Sequence, residues 1–250
     1  MRYGQNTAVS MPAGPRFSAS LAASRADVVE AQRLRYRVFA EEMGARLPQP
    51  ELRLDRDRFD AYADHLLVRD TLTGAVVGTY RMLPAREARK VGRLYSEAQF
   101  ELGAVARLPG LVEVGRACVH PGYRTGAVIG LLWAGLATYL QGGGYEHVIG
   151  CASIPASEDR VAVSRVCRLL LRDHLGPVEW RVAPRTCFDL DDAGPSSPAD
   201  IPPLIRGYLR LGARVCGAPA WDPEFRTADL LLLLPMAGLD PRWARRLLRP

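Results

Sequence analysis

Lysine is almost missing from this 250-residue chain: Lys90 is the only one, and every other basic side chain is arginine. Codon usage in a GC-rich genome accounts for that skew. The formal net charge of +6 is a separate matter. It favours an acidic partner, whether nucleic acid, anionic lipid or an acidic carrier protein, and composition does not choose among them. No basic run with interleaved aromatics is present, which argues against nucleic acid. The five cysteines, Cys118, Cys151, Cys167, Cys187 and Cys216, form no C-x-x-C pair and have no histidine at metal-ligand spacing. Nothing in the pattern calls for a metal, and an odd, scattered set reads as reduced thiols in a cytoplasmic protein. The first twenty residues have no continuous apolar core, so no signal peptide is visible. The longest apolar run, 127–140, is too short to span a bilayer and contains two glycines. The expected setting is the cytoplasm, with peripheral contact at the inner face of the membrane as a further option. No G-x-S-x-G elbow appears, which removes the usual serine-nucleophile arrangement. No internal repeat is visible.

What is present is a 48% hydrophobic chain, long enough to bury a proper core. Residues 1–15 are polar and rich in Gly and Pro, a loose tail. A single domain is expected over 16–238, followed by a basic amphipathic helix over 239–250. Residues 16–22 suit a first strand. Ser24 begins a capping box, and Val28, Ala31, Leu34, Val38 and Phe39 recur at helical spacing, so a helix is expected to run to Met43 and to end at Gly44. Residues 45–63 form a long charged loop. Strands at 65–69 and 75–83, joined by Thr73-Gly74, make a hairpin. A short helix over 96–102, a strand over 111–119 and a helix over 126–141 follow. Then come a strand over 147–152, a helix over 158–174, a Pro-, Ser- and Asp-rich loop over 184–203 and a helical segment over 203–215. The apolar run 228–234 suits a strand buried on both faces. The order implies an α+β fold with a central mixed sheet flanked by helices.

The stretch Glu113-Val-Gly-Arg116-Ala-Cys118-Val119-His-Pro121-Gly-Tyr-Arg124-Thr-Gly126 carries the most chemistry. A strand ends in a Pro-Gly turn, and an Arg and a Gly precede a helix start. Free backbone N–H groups, the helix dipole and the Arg124 guanidinium together suit an anion such as phosphate. Val119-x-Pro121-x-x-Arg124-x-Gly126 resembles motif A of the GNAT N-acyltransferases. In that family the loop grips the pyrophosphate of coenzyme A or the phosphopantetheine of a carrier protein. The usual Arg-x-x-Gly-x-Gly/Ala spacing is altered here. The altered cradle fits a donor with one phosphate better than it fits coenzyme A.

A wider resemblance covers residues 17–235. Arg35-Tyr-Arg-Val-Phe39, Asp57-Arg-Phe-Asp60, Asp64-His65-Leu-Leu-Val68, Gly78-Thr-Tyr-Arg81, Glu113-Val-Gly-Arg116, Pro203-Leu-Ile-Arg-Gly-Tyr-Leu-Arg-Leu-Gly212 and Asp222-Pro-Glu-Phe-Arg-Thr-Ala-Asp229 occur in that order. Together they resemble the bacterial ornithine N-acyltransferases of ornithine-lipid synthesis. Arg35, Phe39, Asp57, Asp60, Arg81, Glu113 and Arg116 also resemble a sister group, the acyl-homoserine-lactone synthases. The resemblance implies a GNAT-like fold and transfer of a 3-hydroxyacyl group to the α-amine of ornithine. It implies a donor carried on the 4'-phosphopantetheine of acyl carrier protein, and no bound cofactor.

Each residue admits a role. Glu113 is positioned to take a proton from the attacking ammonium. Arg116, three residues on, points away from it on a regular strand, and a bulge would be needed to bring the two together. If they met, Arg116 would lower the Glu113 pKa. Asp57 and Asp60 suit a cationic amino acid, or an acidic turn among arginines. Arg81 suits the acceptor carboxylate. Arg35 and Phe39 share a helix face. Phe39 suits the core, and a buried Arg35 would need Asp57 or Asp60 as partner. His65 suits a substrate contact or a structural place. Val119, Arg124 and Gly126 form the donor loop. Cys118 lacks a base and reads as a small core residue. The rival readings are an acyl-homoserine-lactone synthase, a coenzyme A-dependent acetyltransferase, and a non-catalytic carrier-protein or membrane-binding module.

Overall fold

The computed structural model describes residues 15–156, 159–192, 194 and 197–239. Apart from Pro15 and Leu239, the expected tail over 1–15 and the expected helix over 239–250 lie outside them. In chain order the elements are β1 (Phe17–Leu21), α1 (Arg25–Tyr36), β2 (Asp64–Asp70), β3 (Val76–Pro84), α2 (Ala85–Val91), β4 (Phe100–Glu101), β5 (Leu111–Val119), α3 (Gly126–Gly142), β6 (His147–Pro155), α4 (Arg160–His174), β7 (Ala183–Pro184), α5 (Pro203–Leu211), β8 (Arg214–Val215), β9 (Ala220–Asp222) and β10 (Thr227–Pro235).

Seven strands follow the order β1-β2-β3-β5-β6-β10-β8, β9 also pairs with β10, and β4 pairs with β7 separately. All pairings in the main sheet are antiparallel except β5 with β6. That parallel ladder is short, joining only Leu111–Glu113 to His147–Ile149. Past it β5 stays with β3 as far as Val119, and β6 stays with β10 as far as Pro155. The sheet therefore parts between β5 and β6. At the start of the parting Gly150 is required: a Cβ there would stand 2.5 Å from the Val114 carbonyl oxygen. Gly150→Ala is expected to cost about 1–3 kcal/mol through overpacking, lowering Tm by roughly 2–12 °C for a domain this size. A thermal melt matching the parent would show that the strands can spread at no cost.

Strand alternation sorts the side chains. Gly78 faces Val128 and Leu132 of α3. Tyr80, Met82, Val112 and Val114 share a core cluster with α3, and Ala152, Ile154, Ala228 and Leu230 pack with α4 and α5. On the other face Leu83, Leu111, Ile149, Leu231 and Leu233 form a cluster with Ala88 of α2, Phe100 and Val105.

Most expected elements are present. Ser24 closes its capping box with Asp27, and Gly44 takes φ +76°. β10 lies between β6 and the β8–β9 edge, buried as an apolar run should be. Several bounds need correction. The first helix is α-helical only to Tyr36, and Arg37–Glu42 is a π-helical turn. The helix expected over 96–102 is a single 3-10 turn, Ser96–Ala98, before β4. The helical segment expected over 203–215 stops at Leu211, because Gly212 takes φ +104° and Arg214–Val215 joins the sheet edge. α2 had no strong apolar period and was not expected. No described helix is long and apolar enough to cross a membrane.

Candidate active site

On the face opposite α3, the register aligns the functional candidates. His65 stands opposite Arg81, Leu83 opposite Glu113, and Glu113 beside Ile149. Directly paired residues share a face, so His65, Arg81 and Glu113 project from three neighbouring strands toward α1 and the 45–63 loop.

α1 and that loop complete a charge cluster. Arg35 is fully buried, and its Nη2 lies 2.8 Å from Asp60 Oδ2. The same nitrogen donates to the Asp55 carbonyl oxygen, and Nε lies 3.0 Å from Asp55 Oδ2 as an ion pair without hydrogen-bond alignment. Gln32 Nε2 donates to Asp60 Oδ2 at 2.9 Å. Arg81 Nη1 reaches both Asp57 oxygens at 2.8 Å and Asp60 Oδ1 at 3.0 Å. Arg116 Nε donates to Asp55 Oδ2 at 2.9 Å, and its Nη2 lies 3.6 Å from Asp57. Three guanidinium groups thus face three carboxylates, so the cluster is balanced in charge and largely dry. Its outer edge is Asp57, with 22% of the side chain exposed, and Arg116, with 11%. Burial alone would raise Asp60, but Arg35, followed by Arg81, holds its carboxyl well below the usual range. Burial likewise opposes ionisation of Asp55, and Arg116, Arg35 and Arg81 outweigh it.

The pairing expected for Arg35 is present with Asp60. Asp55, the hub for Arg35 and Arg116, was not singled out from sequence. Phe39 is half-buried and meets Phe225 edge-on at 5.7 Å. His65 is buried, and burial pushes its pKa down. Its Nε2 lies 3.1 Å from the Asp60 carbonyl, and Nδ1 has no partner. These contacts make His65 a neutral neighbour of the cluster.

The bulge in β5 is real, but it does not pair Arg116 with Glu113. The β3–β5 register shifts between Thr79 and Arg81, and Arg116 sits at φ +52°, a left-handed conformation that costs an arginine about 1–2 kcal/mol. The turn sends its guanidinium to Asp55 and between two rings, 4.6 Å from Tyr95 and 4.8 Å from Phe225. Glu113 instead accepts from the Tyr95 N–H at 2.6 Å and the Ser96 N–H at 2.8 Å. Burial pushes its carboxyl up, and the Ser96 and Tyr95 hydrogen bonds and Arg81 only partly offset this. The two do not meet, so the lowering that a meeting would bring is absent and the net shift is a rise.

A second polar group adjoins this one. Gln99 Nε2 donates to Asp222 at 2.6 Å and to Asp229 at 2.8 Å, while Cys151 Sγ donates to Gln99 Oε1. Burial, then Asp229, Glu113 and Asp222, pushes the Cys151 thiol up, and burial pushes Cys118 up to about 12. Neither sulfur is set up as a nucleophile.

The donor loop lies at the far end of β5. His120 Nδ1 accepts from the Gly122 N–H at 3.1 Å, and Arg124 is held by Glu42 at 2.6 Å. Thr125, the N-cap of α3, makes no side-chain cap, and no acid stands in the first turn. The N–H groups beginning at Gly126 therefore lack the acceptor a capping side chain would give. Val119, the last residue of β5, is half-buried.

Comparisons with known proteins bear on the fold and the family. The family model described as Acetyltransferase (GNAT) domain matches residues 34–134. An L-ornithine N(alpha)-acyltransferase of Rhizobium meliloti (strain 1021) is 39% identical over 246 residues, covering 89% of this chain and 81% of that protein. One of Rhodobacter capsulatus is 35% identical over 249 residues, covering 93% and 95%. Among solved structures, a coenzyme A-dependent acyl-homoserine lactone synthase superposes with a TM-score of 0.55 at 15% identity, covering 92% of this chain and 93% of that one.

Proposed function

This chain belongs to the L-ornithine N(alpha)-acyltransferases, and from that membership we propose that it transfers an acyl group from a thioester donor to the α-amine of ornithine. The observation that carries the reading is the site of Glu113. It is a buried carboxyl with a raised pKa, the last β5 residue to pair with β6, on the sheet face that also bears the Asp–Arg cluster.

Ornithine approaches along the outer edge of that cluster, where Asp57 meets an ammonium group and Arg116 or Arg81 the carboxylate. Both arginines are held rigid, so little ordering is needed on binding. Glu113 takes a proton from the α-ammonium, directly or through water. The amine nitrogen then attacks the thioester carbonyl, and N–C forms as C–S breaks. The nitrogen's second proton, released as the amide forms, goes to the departing sulfur, which leaves as a thiol. A base of raised pKa suits the first step, because it holds the proton more firmly than an ordinary carboxylate. Backbone N–H groups freed where β5 and β6 part supply donors for the developing oxyanion.

The donor is a 3-hydroxyacyl chain on the 4'-phosphopantetheine of acyl carrier protein. The uncapped start of α3, with Arg124 and Gly126, supports one phosphate. The N-acyl product is amphiphilic, which suits a cytoplasmic enzyme touching the inner face of the membrane. The test is thiol release from 3-hydroxyacyl-carrier protein by the purified protein. Release dependent on ornithine, with an N-acylornithine product by mass, is expected. Release only with S-adenosylmethionine, or only from acetyl-coenzyme A, would overturn the substrates. Silence with every donor would leave a binding module.

A further inference from the structure

On the α3 side of the sheet the core is in two halves. Tyr80, Met82, Val112, Val114 and Val148 pack under α3. Ala152, Ile154 and Leu230 pack with α4 and with Ile205 of α5. The division falls where β5 and β6 stop pairing. Among the described residues, two of the contacts that bridge it run through Tyr208 of α5. Its ring lies against Trp133 of α3, centroids 5.1 Å apart. Its hydroxyl hydrogen-bonds the hydroxyl of Tyr80 on β3. Gly207 permits the approach, since a Cβ there would meet the Trp133 ring at 3.2 Å. α5 therefore roofs the opening through which an acyl chain would lie.

The bridge joins two hydroxyls, those of Tyr80 and Tyr208. Among the described residues each has the other as its hydrogen-bond partner. Each phenol carries one proton, and burial keeps both protonated, raising Tyr80 to about 12 and Tyr208 well above its ordinary value. One proton makes the Tyr–Tyr bond. The other has no acceptor among the described residues, which is unfavourable where Tyr80 is buried and Tyr208 half-buried. An acyl hydroxyl entering here would accept that spare proton and donate its own in return.

We propose that Tyr80 and Tyr208 recognise the hydroxyl at carbon 3 of the acyl chain and so set the enzyme's preference for hydroxylated donors. This rests on the acyl-transfer reading above and adds a determinant of donor choice. Tyr80 stands opposite the β5 bulge, one strand from the opening, and Tyr208 reaches it from the other half of the core. A chain without the hydroxyl would leave the spare O–H unsatisfied.

The test compares kcat/KM for 3-hydroxyacyl- and unsubstituted acyl-carrier protein of equal chain length, with ornithine as acceptor. The parent is expected to prefer the hydroxylated donor by about tenfold or more, the worth of one good buried hydrogen bond. Tyr80→Phe and Tyr208→Phe are each expected to bring the two donors near parity. A parent without preference, or Phe variants in which both donors fall together and the ratio survives, overturns the proposal. Binding of non-reactive 3-hydroxyacyl- and acyl-pantetheine thioethers by calorimetry, without ornithine, reads the same ratio independently of turnover, with thermal melts checking that the variants fold. No ornithine-dependent release by the parent would sink the ornithine reading. A hydroxyl-dependent binding gap that disappears in the Phe variants would still uphold the two tyrosines.

Discussion

Arg35→Met is expected to destabilise the protein by about 3–5 kcal/mol at neutral pH, because it strips the cation from two buried carboxylates. For a domain of this size that lowers Tm by roughly 6–20 °C. Arg35 is fully buried, and its partners Asp55 and Asp60 are 2% and 7% exposed. Water cannot take over the lost role without opening α1 from the sheet. The effect has a pH signature whose sign follows from the depressed carboxyls. In the parent Asp55 and Asp60 have folded pKa values below the ordinary carboxylate range. Their contribution is therefore complete above about pH 4 and is lost as pH falls through the folded values. In the variant that depression shrinks, because only Arg116 and Arg81 remain to sustain it. The gap between parent and variant is expected to be widest near pH 7 and to close below about pH 4. Thermal melts across that range measure it. An unchanged Tm at pH 7, or a gap that does not move with pH, would show that Arg35 acts through packing alone.

The same cluster marks how far a sequence can be read. The pairing of Arg35 with an acid follows from helix spacing, since an arginine on an apolar face must find a counter-charge. Which acid it finds does not follow. Asp55, Asp57 and Asp60 lie in an irregular loop, where no period fixes direction, and Asp55 differs from its neighbours only once the fold places it between Arg35 and Arg116. Arg116 was misdirected for a similar reason. Strand alternation places it opposite Glu113, and a bulge at φ +52° cannot be seen without the partner strand. Tyr95 and Phe225, which sandwich its guanidinium, come from positions 21 residues before and 109 after, beyond any local signal. The α+β architecture was legible because apolar runs and Gly stops are local: Gly44 closes its helix as expected. The early end of α5 was missed although Gly212 is a natural stop, because apolar residues beyond it hid the change from helix to edge strand.

Glu113→Gln is expected to reduce ornithine-dependent turnover by about 10²–10⁴, the usual worth of a positioned general base. Glutamine keeps the size of the side chain and one acceptor for the Tyr95 and Ser96 N–H groups, so KM for ornithine should change little. The parent's rate should rise with pH as Glu113 ionises, and because burial raises its pKa that limb should lie above the ordinary glutamate value of about 4.3. The variant should lack the limb. Stability carries an independent sign. A carboxyl whose folded pKa is raised contributes stability below its unfolded pKa and loses it as pH rises through the folded value. Glutamine does not titrate. Whatever the offset from one lost cap acceptor, the Tm difference should therefore move in the variant's favour as pH rises. A variant that keeps more than a third of the parent's turnover, with its pH limb intact, would remove Glu113 from proton transfer. It would leave Glu113 as the cap of the Tyr95–Ser96 turn, and an N-terminal acid of that kind acts on stability alone. Loss of turnover together with loss of the limb is the combination that only a base in the reaction path produces.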